Sequence, residues 1–175
     1  MRPALKALRT EAIAMSTRVE QLVEEILEHA RIAGLSVVVA ESCTAGQLAT
    51  VFAKGKAAAQ HFTGGFITYT KEAKTLLLNV PPGMIDEETA VSANVAAAMA
   101  RGAAVKARAS LAVAVTGVTG AEPDEDGNPV GLVFCAAARA DGGVKTLQLR
   151  LGETAARRTR RSEAALGLLR DFAFA

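Results

Sequence analysis

The chain has 175 residues, enough for one domain with a full core and too few to expect two. Half of it is apolar, which argues against disorder, and a formal charge of +2 gives no global field for nucleic acid. No apolar run approaches the ~18 residues that suggest a membrane span.

Cysteine occurs only at Cys43 and Cys135, with no zinc spacing around either, as expected for free thiols in a reducing compartment. The opening stretch "MRPALKALRTEAIAM" is basic but has no long apolar core or convincing cleavage site. A cytoplasmic protein is therefore expected. Residues 1–16 read as an N-terminal extension, helical or disordered, before a single domain over 17–175.

Thr17 and Glu20 have the spacing of a capping box. Val19, Leu22, Val23, Ile26, Leu27 and Ala30 then recur at helical spacing up to a stop at Gly34. "LSVVVA" is a short β-branched run that reads as a strand buried on both faces. After "ESCTAG" comes a helix, "QLATVFA", then a strand at "GGFITYT" and a short helix at "KEAKTLLL", stopped by Asn79 and a Pro81-Pro82-Gly83 turn. Ser92 opens an alanine-rich helix to about Val105, followed by the strand "SLAVAVT". Residues 117–129 are rich in Gly, Pro, Asp and Glu and read as a long loop. "VGLVFCAAA" and "VKTLQLRL" flank Asp141-Gly142-Gly143 as a hairpin, and an amphipathic helix runs from about Glu153 to Phe172. Helices alternate with strands until two strands adjoin. The expectation is an α/β fold, a three-layer α/β/α sandwich with a mixed, mostly parallel sheet.

Ligands in such folds sit beyond the carboxyl ends of the strands. Three polar clusters follow strand candidates, "ESCTAG", "TYTKEAK" and "TGVTGAEPDEDG", so their convergence is expected. Ser42 on a strand-to-helix turn would place a hydroxyl above the sheet edge, with the amides of Cys43 or Thr44 near a developing oxyanion. A plain helix cap at Ser42 or Thr44 fits the same residues. A serine nucleophile needs a base, and His29 and His61, the two histidines, sit in no recognisable triad. Lys74 can serve if desolvation lowers its pKa, although a solvated helical lysine has the same spacing. Tyr69 could orient that lysine or mark the core margin. Cys43 is a rival nucleophile or a small buried thiol. The acidic "EPDEDG" lacks the remaining ligand spacing of a calcium loop and reads as a solvated tip. The arginines of "RRTRR" suit phosphate or an exposed helix face.

Taken in order, "AESCTAG", "FTGGFITYTKEAKTLLLNV", the Ala90–Gly102 region, "AVAVTGVTG" and "NPVGLVF" resemble the CinA C-terminal domain family, competence/damage-inducible proteins that include nicotinamide-nucleotide amidase. The resemblance runs from about Thr17 to Phe172. It implies an amidohydrolase that converts nicotinamide mononucleotide to nicotinate mononucleotide and ammonia in pyridine-nucleotide recycling. It implies no required metal or cofactor and a homo-oligomer, dimer or higher, while the near-neutral charge and the lack of a long apolar run lead us to expect no nucleic-acid or membrane partner.

Carried onto this chain, the resemblance makes Ser42, Lys74 and Tyr69 catalytic. It places Glu41, Cys43, Thr44, Gly46, Thr116, Gly117 and Arg158 around the substrate, Arg158 toward its phosphate. The chain departs from the family pattern in having Ala45 where a glycine is usual, extra residues before Pro123, and Gly152-Glu153-Thr154 for a Gly-Asp-Arg pattern. The alternative reading is a catalytically weak or inactive nucleotide-binding or regulatory module of the same family. A DNA-associated competence factor ranks third, given the near-neutral charge.

Overall fold

The computed structural model describes residues 3–151 and 157–174, with side chains described over 18–151 and 160–174. Five strands, β1 (Val37–Glu41), β2 (Phe62–Ile67), β3 (Leu111–Gly117), β4 (Leu132–Arg139) and β5 (Val144–Arg150), form one sheet in the order β2-β1-β3-β4-β5. The β1 pairings with β2 and β3 are parallel, and the pairings along β3-β4-β5 are antiparallel. The fold is the expected α/β/α sandwich on a mixed sheet.

Seven helices are described: α1 (Pro3–Ala33), α2 (Gln47–Phe52), α3 (Ala58–His61), α4 (Lys71–Leu78), α5 (Pro82–Glu88), α6 (Ala93–Ala107) and α7 (Arg157–Ala173). Side-chain size assigns them to layers. Val37, Val39, Leu111, Val113 and Val115 point to one face, where Leu22, Ile26 and Leu27 of α1 and Leu166 and Leu169 of α7 cover them. The alternate positions Ala40, Ala112, Ala114, Ala136 and Ala138 face the other way, against Ala96, Ala100 and Ala103 of α6. Small residues on both surfaces let that helix lie close to the sheet. Gly102 continues the same economy, because a Cβ there would stand 2.0 Å from the Leu78 carbonyl oxygen. Helix α4, which carries Lys74, is thereby held against α6.

Several expectations need correction. The first helix begins at Pro3, so Thr17 lies within it and is not its N-cap; the Thr17 side chain lies outside the described residues. Pro81-Pro82-Gly83 does more than end α4. Pro82 takes the first position of α5, where its missing N–H leaves no helical bond unmade. The short α3 was also not expected. The Gly34 stop, the Asn79 stop at φ 56 and the Ser92 cap, which accepts from the Val95 amide, are all observed. Among the described residues no helix is long and apolar enough to cross a membrane.

Candidate active site

Strands β1, β2 and β3 run in parallel, so their carboxyl ends, Glu41, Ile67 and Gly117, lie along one edge of the sheet. The three polar clusters leave from that edge and meet around a cleft of about 540 Å³. Ser42 and Cys43 line it from the first cluster, Tyr69 to Glu72 and Lys74 from the second, and Thr116 to Gly120 and Glu122 to Asp126 from the third.

The turn after β1 does not use a hydroxyl cap. Glu41 is 0% exposed, and its carboxylate accepts the amides of Gly46 and Leu48 on Oε2, both at 3.1 Å, and of Ala49 on Oε1 at 2.8 Å. It occupies the N-terminal end of α2, where a negative charge also suits the helix dipole. Ser42 is left without a capping duty. Thr44 is buried with its hydroxyl unpartnered, so it does not cap the helix either. Glu41, Thr44 and Gly46 shape the turn and are not part of the cleft lining.

Lys74 is 1% exposed. Its Nζ is within hydrogen-bonding distance of Ser42 Oγ (3.2 Å), the Thr68 carbonyl oxygen (2.9 Å) and the Tyr69 carbonyl oxygen (3.5 Å). Burial with no carboxylate among these contacts disfavours the ammonium and lowers the pKa of Lys74 to about 8, a shift partly opposed by Cys43. An ammonium donates to all three acceptors. A neutral amine has two N–H bonds for the two carbonyls and a lone pair for the Ser42 hydroxyl. The geometry suits a lysine that takes a proton from serine.

Tyr69 meets Lys74 through its main chain rather than its hydroxyl. Its side chain is 71% exposed at the cleft, so the expected orientation of the lysine falls to two backbone carbonyls. Burial pushes the Cys43 thiol up, holding it protonated and a poor rival to Ser42. Thr116 lines the cleft and donates its hydroxyl to the Ala90 carbonyl at 2.8 Å. Gly117 is small because of β4: a Cβ would stand 2.7 Å from the Leu132 carbonyl oxygen. His29 and His61 bond main-chain carbonyls of Glu25 and Leu35 away from the cleft. Arg158 belongs to α7, but its side chain lies outside the described residues, as do Glu153 and Thr154.

The CinA C-terminal domain family model matches residues 19–173. This chain belongs to that family. A CinA-like protein of Geobacter sulfurreducens is 44% identical over 138 residues, covering 78% of this chain and 33% of the relative. The chain thus spans about a third of the length of the curated relatives it matches. The crystal structure of competence/damage inducible protein CihA from Agrobacterium tumefaciens superposes with a TM-score of 0.84 at 34% identity, covering 89% of this chain and 96% of that one. A competence-damaged protein (CinA) superfamily structure from Escherichia coli gives 0.82 at 32% identity, covering 86% and 88%.

Two features of this CinA domain were not anticipated. The acidic loop is not a free tip. Lys71 Nζ donates to Asp126 Oδ1 at 2.7 Å and pairs with Glu125 at 3.0 Å, tying the loop to the start of α4 along the cleft wall. Asp124 accepts the amides of Asp126 and Asn128, which fixes the loop's own turn. The second feature is Arg161, 2% exposed, whose Nη1 donates to the Cys43 carbonyl at 3.5 Å. Its signal was in the sequence: Arg161 shares a helical stripe with the buried Ala165, Leu168 and Leu169. Among the described residues no group of three His, Cys, Asp or Glu is arranged to hold a metal ion.

Proposed function

We propose that this CinA domain is an amidohydrolase that deamidates nicotinamide mononucleotide to nicotinate mononucleotide and ammonia. The observation that carries the reading is the buried contact between Lys74 Nζ and Ser42 Oγ at the edge of a cleft large enough for a mononucleotide. Neutral Lys74 takes the Ser42 proton as Oγ attacks the carboxamide carbon. The oxyanion forms beside the amides of Cys43 and Thr44, neither of which donates to a main-chain carbonyl among the described residues. Lys74 returns the proton to the departing nitrogen, and ammonia leaves an acyl-enzyme. Water then attacks the acyl carbon, its proton passes to Lys74 and on to Ser42 Oγ, and the carboxylate product is released. The exposed Tyr69 ring at the mouth offers a face for the pyridine ring.

The runner-up, a binding or regulatory module with little turnover, draws on the rim. Glu72, Glu122, Asp124, Glu125 and Asp126 all line the cleft, and carboxylates oppose a phosphate. Ammonia release by the native protein, with Ser42→Ala and Lys74→Ala as controls, separates the two. Turnover lost in both folded variants supports the amidase. Native binding of the nucleotide without ammonia supports the module.

A further inference from the structure

We propose that Arg161 is a positioning residue for the backbone donors beside Ser42, an inference that rests on the amidase reading above. A trans peptide holds its C=O and the next N–H antiparallel in one plane. Fixing a carbonyl therefore aims the amide behind it. The two peptide planes after the serine are both held through their carbonyls: Ser42 O accepts from the Ala45 amide at 3.2 Å, and Cys43 O accepts from Arg161 Nη1 at 3.5 Å. The first bond lies within the turn. The second is made 118 positions away in sequence, from helix α7.

Helix α7 covers the sheet face opposite α4 and Lys74. With the Cys43 carbonyl directed to α7, peptide planarity turns the Thr44 N–H to the other side of the turn, behind the cleft lining of Ser42 and Cys43, where the proposed oxyanion would form. A guanidinium on the carbonyl also polarises that peptide and strengthens its N–H as a donor. The placement is deliberate in energetic terms. A cation 2% exposed is costly unless its donors are used, and one of them is held by the Cys43 carbonyl. The guanidinium also lies against the Cys43 thiol, where it opposes the upward push of burial. Glu41 fixes the far end of the same turn through the amides of Gly46, Leu48 and Ala49. One buried anion and one buried cation thus clamp the segment from both sides.

The test compares the full chain with Arg161→Met and Arg161→Lys, reading kcat and KM for ammonia release from nicotinamide mononucleotide. The rate of Ser42 labelling by a fluorophosphonate, which needs the same oxyanion donors but no nucleotide, is read alongside. Arg161→Met should lower kcat by about 10- to 100-fold with KM within about twofold, and slow labelling in parallel. Arg161→Lys, still able to donate to the carbonyl, should recover part of both rates. Where Arg161→Met does not fold, the lysine variant carries the test: kcat reduced at unchanged KM supports the role. Native kcat in Arg161→Met (or, where that variant does not fold, in Arg161→Lys), or a raised KM at native kcat, overturns it, and so does a loss that lysine restores in no part. A native protein that neither releases ammonia nor labels at Ser42 overturns the amidase reading itself, and this inference with it. A native protein that does both while the Arg161 variants match it overturns the inference alone.

Discussion

Lys74 Nζ stands 3.2 Å from Ser42 Oγ across 32 positions of sequence, and Lys74 is the more deeply buried of the two. The rest of its coordination is two main-chain carbonyls, so the proton on this amine is held weakly, with a pKa of about 8. If the amine is the base, ammonia release must rise with pH as Lys74 loses its proton. We expect kcat/KM to climb through an apparent pKa near about 8 and level off above it. Lys74→Met should abolish turnover by at least about 10³-fold while keeping the native circular dichroism spectrum. A flat profile between pH about 6.5 and about 9.5 in the native enzyme contradicts the assignment.

The same depressed pKa makes the lysine a stability sensor, with a sign opposite to that of a salt-bridged group. Below about pH 8 the amine is charged in both the folded and the unfolded chain, so the cost of burying the charge is carried in full. Between about 8 and the ordinary value of 10.5 the folded protein releases the proton while the unfolded chain keeps it, and stability rises with pH. The gain is about 3 kcal/mol at most. The buried thiols of Cys43 and Cys135 act the other way, since burial pushes both up and their unfolded counterparts ionise first. Denaturant unfolding of native and Lys74→Met proteins across this range isolates the lysine. The native curve should gain on the variant as pH rises, and parallel curves would refute the sign.

Glu41 carries a separate prediction. Its two carboxylate oxygens accept three amides in a fully buried site, an arrangement that an amide side chain cannot reproduce. In Glu41→Gln one oxygen becomes an NH₂ that faces backbone N–H groups, donor against donor. The expected loss is about 2–3 kcal/mol of unfolding free energy, together with a fall in kcat because Ser42 adjoins the loosened turn. Thermal melts and ammonia release measure the two effects. A variant with native melting temperature and native kcat shows that the carboxylate does not organise the turn.

The layers were legible in the sequence because they follow from side-chain periodicity. The runs 37–41 and 111–117 are apolar on both faces, and the alanines of 93–107 match those of the sheet they cover. Asn79 and Ser92 were readable because each does a local job, an αL stop and an N-cap. The site was legible as three clusters but not as a division of labour. Glu41 caps α2 from five to eight positions upstream, outside the usual N-cap register, so local spacing assigned that job to hydroxyls. Tyr69 was given the lysine because a hydroxyl suggests chemistry, whereas the contact is made by a carbonyl that every residue possesses. The burial of Arg161 was readable from its helical stripe, but its contact with Cys43 and the clasp of Lys71 on Asp126 span 118 and 55 positions, which no sequence window contains.

Ala45 tests how much strain the turn holds. It adopts φ 50, a left-handed conformation that crowds the Cβ of an L-residue, and it is followed by Gly46 at φ 94. Two successive positive φ values let the chain reverse quickly enough for the amides of Gly46, Leu48 and Ala49 to reach the Glu41 carboxylate. A glycine at 45 takes this conformation freely, at the cost of a more flexible unfolded chain. The first effect is the larger for a residue whose φ is fixed by so many bonds, so Ala45→Gly should raise unfolding stability by up to about 1 kcal/mol. The backbone bonds around the turn are unchanged by the substitution, and kcat should stay within about twofold of native. Chemical denaturation reads the first effect and ammonia release the second. A clear loss of stability would mean that the alanine methyl makes packing contacts worth more than the strain it carries.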